Sequence, residues 1–112
     1  MKALELYPKC TSKAHFHYLN IGELPAAPGC YVLASYEEDI LYIGKSKDIR
    51  RRIGEHLDDS SKTGMTPLGR ASWVFYLRTD AHNIDILERG WANEYELREG
   101  VLPVLNKIEP SA

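Results

Sequence analysis

The chain has 112 residues, of which 44% are hydrophobic and 27% are charged. These fractions are close to globular averages, so a disordered, collagen-like or coiled-coil chain is excluded, and the length predicts one compact domain. Fourteen Lys and Arg against sixteen Asp and Glu give a formal net charge of −2, so strong attraction of the whole chain to a polyanion is not expected. Any site for a polyanion must therefore come from a local cluster of cations.

The two cysteines, Cys10 and Cys30, are too few for a disulfide framework and have no partner pair that would complete a tetrahedral zinc site. We therefore expect two reduced, buried or half-buried thiols. No stretch approaches the roughly 20 apolar residues of a membrane span. Glu5, Tyr7 and Lys9 interrupt any apolar segment of a signal peptide. The sequence thus predicts a cytoplasmic protein with no membrane partner.

Residues 1–28 are predicted to form an N-terminal extension that packs on the domain. Three prolines exclude a long helix there, and the alternation at 15–18 is typical of a short edge strand. His15 and His17 would share one face of that strand, which allows metal ligation or a phosphate contact. The alternative is two histidines that simply face solvent.

Two hydrophobic runs, 30–36 and 40–44, predict strands that the acidic link 37–39 joins into a hairpin. The pattern then changes to a helical period, with apolar residues recurring every fourth position from Ile49. Ser46 is the predicted N-cap of this helix. The helix should end in a loop over 58–63.

A third strand is predicted over 73–77, because aromatic and branched residues dominate that run. A second long helix is predicted over 81–99, with Thr79 or Asp80 as its cap and with Gly100 and Pro103 ending it. This order of elements predicts an α+β fold, in which a small, mainly antiparallel three-stranded sheet is flanked by helices.

Two tyrosines of the hairpin point to a common site. Tyr31 and Tyr42 lie on adjacent strands whose short connection brings their phenols close together. Gly44 follows, where a missing side chain allows a close approach to the backbone, and Lys45 adds a cation. On the next helix, Arg52 lies four residues before a histidine, so the two side chains share one face.

Positive charge is concentrated between residues 45 and 52, where five cations and one acid leave a local charge of +4. The cluster is a candidate nucleic-acid interface. The alternative is a solvated helix face on which pairs such as Arg51 with Glu55 neutralise one another. Its members are Lys45, Lys47, Arg50, Arg51 and Arg52.

The segments GCY at 29–31 and YIG at 42–44, followed by Arg52 and His56, resemble the GIY-YIG nuclease family. The resemblance covers residues 29–106, which it marks as the nuclease domain, and leaves 107–112 as a tail. It implies a metal-dependent endonuclease that hydrolyses DNA. The site residues that it implies are Tyr31, Tyr42, Lys45, Arg52, His56, Glu94 and Asn106.

The resemblance assigns the metal-binding glutamate to Glu94, because its distance to Asn106 in the Pro-x-x-Asn segment is comparable with that of the family. At about 100° per residue, Glu94 also lies about 20° from Leu87 on the inward face of the helix. Glu88 is the alternative ligand. The implied ion is Mg²⁺ or Mn²⁺, since a hard carboxylate oxygen suits both.

The implied chemistry is attack by a water molecule on a phosphodiester. One tyrosine would take the proton of the water while the other orients it, and the residues leave open which does which. Arg52 and Lys45 would neutralise the phosphate. His56 would relay a proton or hold a phosphate, and Asn106, like Gly44, would support the site.

A non-catalytic nucleic-acid-binding or protein-assembly module on the same fold is the alternative function. The sequence carries no zinc finger or helix-turn-helix motif. Any sequence specificity must then come from residues 1–28, from a homodimer or from a partner protein.

Overall fold

A computed structural model describes residues 1–106 of the chain. It contains one antiparallel sheet of four strands in the order β1-β4-β2-β3. The strands are β1 (Ser12–His15), β2 (Gly29–Ala34), β3 (Ile40–Ser46) and β4 (Trp73–Arg78). The helices are α1 (Ile49–Leu57), α2 (Ser60–Thr63) and α3 (Ile84–Glu99), with 3₁₀ turns at Ala3–Glu5 and Tyr18–Glu23. The predicted α+β fold is confirmed, although the sheet has one more strand than predicted.

The additional strand is β1, which pairs with β4 at one edge of the sheet. It begins three residues earlier than the predicted run 15–18, because Ala14 is its one buried residue and the hydrophobic signal is correspondingly weak. His15 stacks on Trp73 with ring centroids 4.2 Å apart. His17 accepts a hydrogen bond from the Leu19 amide through Nδ1. Within residues 1–106, no three His, Cys, Asp or Glu side chains group as a metal site.

Strand β2 is buried on both faces and so separates two packed layers. Cys30 and Val32 point into one core, where Trp91 of α3 packs. Tyr31 and Leu33 point into the opposite core, which contains Ile53 of α1. Because side chains alternate along a strand, the sheet places α1 with the tyrosines and most of α3 on the other side.

Both long helices begin later than the sequence predicts. Asp48, not Ser46, caps α1, since its carboxylate accepts a hydrogen bond from the Arg51 amide at 3.1 Å. Helix α3 starts at Ile84 because residues 81–83 form a turn. It ends as predicted at Gly100, whose φ of 79° is easily adopted without a side chain. The short helix α2 lies inside the predicted loop 58–63.

The N-terminal segment supports both layers. Ala3 and Leu6 are fully buried in the core on the α3 side. On the α1 side, Arg50 donates from Nε to the Leu24 carbonyl at 2.8 Å and from Nη2 to the Gly22 carbonyl at 3.2 Å. Arg50 therefore braces the 3₁₀ turn against α1.

Both cysteines are free and buried, as predicted. Burial raises the pKa of each thiol to about 12, so neither is an activated nucleophile at neutral pH. No helix within residues 1–106 has the length and apolar character needed to cross a bilayer.

Candidate active site

The two tyrosines meet over Gly44. Tyr31 of β2 is paired with Gly44 of β3, and the rings of Tyr31 and Tyr42 stack with centroids 6.2 Å apart. A Cβ atom on Gly44 would lie 2.6 Å from the Tyr31 hydroxyl oxygen and 2.7 Å from Tyr42 Cε2. Only glycine leaves room for both rings above this strand.

We expect Gly44→Ala to lower the free energy of unfolding by about 1–3 kcal/mol, because the added methyl group overpacks a buried cluster. Urea unfolding followed by tryptophan fluorescence measures the change. Gly90→Ala is the matched control, since a Cβ at that helical position would have no atom within 4 Å apart from its own neighbours and the backbone of the helix. There we expect a gain of up to about 1 kcal/mol from helix propensity. Equal stability of Gly44→Ala and wild type would contradict the close packing.

Helix α1 brings an imidazole and a guanidinium to the tyrosines. His56 is buried, and its Nε2 lies 2.7 Å from the Tyr31 hydroxyl oxygen in a hydrogen bond. Its ring lies edge-on to the Tyr42 ring with centroids 5.1 Å apart. Arg52, one helical turn earlier, donates to Glu55 at 2.8 Å. Glu55, with smaller contributions from the Tyr31 and Tyr42 hydroxyls, raises the pKa of Arg52, so a permanently charged group lies beside both phenols.

Lys62 is a member of the cluster that the sequence analysis missed. It belongs to α2, is fully buried, and its Nζ lies 5.1 Å from the centroid of the Tyr42 ring. A four-residue helix shows no periodicity, and a lysine in a polar stretch is usually exposed. No pattern in the sequence therefore indicated it.

Lys45 lies at the other face of the same edge strand. Because it follows Gly44, its side chain leaves the sheet toward α3, where Nζ contacts Asp85 Oδ1 at 2.6 Å. Glu88, one turn further along α3, is half-buried. Burial raises the pKa of Glu88, and the nearby Lys45 ammonium partly opposes that rise. Lys45 of β3 and the two acids of α3, Asp85 and Glu88, thus form an ionic group beside the edge strand.

Glu94 does not lie where the sequence analysis expected. Its Oε1 accepts a hydrogen bond from the Tyr7 amide at 3.1 Å, which ties it to the N-terminal segment. Six residues separate Glu88 from Glu94, so the two side chains point about 120° apart around the helix. The face of α3 that carries Leu87 and Glu94 lies against the N-terminal segment. Lys45 lies near the opposite face of the helix. The spacing to Asn106, which favoured Glu94, runs past the end of α3 and does not say which face of the helix meets the sheet.

Asn106 clamps strand β3 from outside the sheet. Its Oδ1 accepts from the Ile43 amide at 2.9 Å, and its Nδ2 donates to the Ile43 carbonyl at 3.0 Å. These two bonds hold the backbone between Tyr42 and Gly44, so Asn106 has a supporting position.

The predicted cation cluster is divided by its contacts. Arg50 bonds to backbone carbonyls, and Arg51 pairs with Glu55 at 2.7 Å, as the solvated-face alternative anticipated. Lys47 is exposed on the turn before α1. Arg50 and Arg51 are therefore already paired within the protein. This leaves fewer cations able to reach a bound phosphate than the sequence predicted.

Comparison with known proteins gives the family. Residues 27–99 match the GIY-YIG catalytic domain. Proteins named UvrABC system protein C are similar over much of the chain. The one from Mesoplasma florum is 25% identical over 92 residues, which is 80% of this chain and 16% of that protein. The one from Acidothermus cellulolyticus is 30% identical over 83 residues, or 69% and 13%. The one from Streptomyces coelicolor is 29% identical over 86 residues, or 71% and 12%.

This chain therefore spans less than a fifth of the length of those relatives. The matched segment includes the tyrosine pair, the arginine and the histidine described above. The chain belongs to the GIY-YIG catalytic domain family.

Proposed function

We propose that this chain is an endonuclease domain that hydrolyses phosphodiester bonds of DNA with the help of a divalent metal ion. The observation that carries the proposal is the cluster of two buried phenols, a buried imidazole and a partly exposed guanidinium, centred on the 2.7 Å contact between Tyr31 and His56. Membership of a catalytic domain family supports it. The similarity to UvrABC system protein C supports a nucleic-acid substrate only because it reflects membership of the same domain family.

A tyrosine in its phenolate form is the proposed acceptor of the proton from the attacking water. Its ordinary pKa is near 10, so it needs neighbouring cations to act near neutral pH. The Arg52 guanidinium supplies one beside both tyrosines. Tyr42 lies on the edge strand with 6% of its surface exposed, whereas Tyr31 lies on an interior strand with 0% exposed. We therefore assign the proton-accepting role to Tyr42, and the role of orienting the site to Tyr31 with His56.

Arg52 is the proposed phosphate-binding residue. Its planar set of donors matches two phosphate oxygens, and a fixed positive charge stabilises the negative charge that develops in the transition state. Glu55 holds the guanidinium in place in the absence of DNA. An incoming phosphate would compete with that carboxylate for the same donors.

The acids of α3 fit a magnesium or manganese site with few protein ligands. Mg²⁺ usually keeps several waters and takes one or two carboxylates, so a large ligand cluster is not required. Asp85 is held by Lys45, whereas Glu88 offers a half-buried carboxylate at the same place. We propose Glu88 as the ligand in place of Glu94. When bound, the ion would stabilise charge on the leaving oxygen.

A plasmid-nicking assay tests the proposed function. Supercoiled DNA should become nicked or linear in the presence of Mg²⁺ and should stay intact with EDTA. Arg52→Ala, purified in the same way, controls for a contaminating nuclease and should be inactive. DNA binding without cleavage in Mg²⁺ or Mn²⁺ would contradict the proposal and favour a non-catalytic binding module.

A further inference from the structure

Glu55 binds two arginines at once on the exposed side of α1. Its Oε1 accepts a hydrogen bond from Arg52 Nη1 at 2.8 Å, and its Oε2 accepts one from Arg51 Nη1 at 2.7 Å. The hydrogen bond from Arg52, with a smaller contribution from Arg51, lowers the pKa of Glu55, so the carboxylate is charged at neutral pH. The two guanidinium groups therefore form a site for one anion, and Glu55 fills that site.

The geometry of this site suits a phosphate group. Carboxylates and phosphates both present two oxygens side by side to guanidinium donors, so donors that bind one can bind the other. The three side chains are open to solvent, with 38% of Arg52, 44% of Glu55 and 62% of Arg51 exposed. Tyr42, by contrast, is 6% exposed. A phosphate that approaches from solvent therefore meets the two arginines before it reaches the tyrosines.

We propose that Arg51 joins Arg52 in binding one phosphate group of DNA, and that Glu55 is an internal competitor that occupies this site until DNA displaces it. Arg51 is paired in the free protein and becomes available when the carboxylate leaves. That the incoming anion is DNA rests on the proposed function, whereas the existence of the two-arginine site does not.

An internal competitor makes the site selective. Glu55 is attached to the same helix as the arginines, so a phosphate ion must compete with a carboxylate at high local concentration. A DNA duplex carries many phosphates, which also bind other cations such as the exposed Lys47, and it can displace Glu55 where a single small anion binds poorly. Glu55 is thus a specificity-determining residue that favours DNA over small phosphate anions.

The exposure of the two ion pairs sets the size of the effect. Water and salt screen such pairs, so each contributes little to stability. Two exposed pairs together change a binding constant about 2- to 30-fold. A duplex can therefore displace Glu55 without a change in the fold, while removal of the carboxylate has an effect large enough to measure.

Inorganic phosphate tests the anion site without DNA. The Nε–H resonances of ¹⁵N-labelled arginines are followed by NMR as phosphate is added at constant ionic strength, with Arg51→Lys and Arg52→Lys identifying the two signals. Glu55→Gln keeps the size of the side chain and removes its charge, so it should bind phosphate about 2- to 30-fold more tightly than the wild type. Glu5→Gln is the matched control, since it removes the same charge from an ion pair with Arg98 of α3, and it should leave the affinity unchanged.

Binding of a labelled DNA duplex in Ca²⁺ tests DNA as the competitor. Glu55→Gln should bind the duplex more tightly than the wild type, and millimolar phosphate should weaken duplex binding to this variant more than to the wild type. Arg51→Gln should weaken duplex binding more in the Glu55→Gln protein than in the wild type, where it also loosens the hold of Glu55 on the site. Additive effects of the two substitutions would overturn the proposal.

The phosphate titration can also overturn it. Equal phosphate affinities of wild type and Glu55→Gln would do so, because a carboxylate that only stabilises the helix surface would alter the melting temperature alone. Failure of both Glu55→Gln and Glu55→Ala to fold would overturn it as well, by assigning Glu55 to the fold. If the wild-type protein does not cleave DNA, the proposed function fails while the phosphate titration still decides the role of Glu55.

Discussion

Glu88→Gln is expected to abolish metal-dependent cleavage, whereas Glu94→Gln is expected to leave it near the wild-type rate. The amide of glutamine cannot replace a carboxylate as a ligand for a hard divalent cation. Loss of a residue that hydrogen-bonds to a metal ligand already lowers metal affinity or activity by about 10–100-fold, so loss of the ligand itself should lower it further. Glu94 bonds to the Tyr7 amide, and glutamine retains an oxygen that can accept that bond.

Single-turnover cleavage of a labelled DNA duplex over a range of Mg²⁺ concentrations measures both variants. DNA binding in Ca²⁺ shows whether either change disturbs the protein before the chemical step. The two side chains have the same chemistry and lie on one helix, so each variant is the control for the other. If Glu94→Gln is inactive while Glu88→Gln cleaves normally, the ligand is Glu94 and the assignment made from the structure is wrong.

Tyr42→Phe should reduce the cleavage rate by about 10²–10⁴-fold while DNA affinity changes little. The substitution removes one hydroxyl group, and the loss of a positioned proton acceptor lowers the rate of the chemical step more than ground-state binding. Tyr31→Phe should also reduce cleavage. It should in addition lower the free energy of unfolding by about 1–3 kcal/mol, because it deprives the buried His56 ring of its 2.7 Å hydrogen bond.

Rapid-quench cleavage and urea unfolding of both variants separate these effects. The informative comparison is between the two phenylalanine variants, since they delete the same group from neighbouring strands. A Tyr42→Phe protein that cleaves within a few-fold of wild type would show that Tyr42 only packs beneath Tyr31. The proton acceptor would then have to be Tyr31 or His56.

Strong local patterns explain which parts of the fold the sequence predicts. Strands β2 and β3 are continuous apolar runs, and α1 repeats an apolar residue every fourth position, so each was found close to its observed bounds. Strand β1 has a single buried residue, and α2 has four residues, so neither carries a periodic signal. Their formation depends on contacts with β4 and α1, which no local window contains.

The sequence likewise locates some residues of the candidate site and not others. Tyr31, Tyr42, Arg52 and His56 lie on elements with clear registers, and the structure brings all four together. Glu94 lies instead against the N-terminal segment, because its position depends on which face α3 turns toward the sheet. Lys62 was overlooked because only tertiary packing buries it. Sequence spacing thus located residues on β2, β3 and α1, whose hydrophobic patterns are clear, better than residues whose position depends on tertiary packing.

The strand β1 and the carbonyl groups that Arg50 holds belong to the first 28 residues, yet the family match begins at residue 27. The unit that folds is therefore longer than the unit that the family shares. A chain trimmed to the matched residues would expose the outer edge of β4, which could pair with a second copy and lead to aggregation. It would also free one side of the helix that carries Arg52 and His56. An inactive trimmed protein would then report a damaged scaffold and would say nothing about the chemistry of the site.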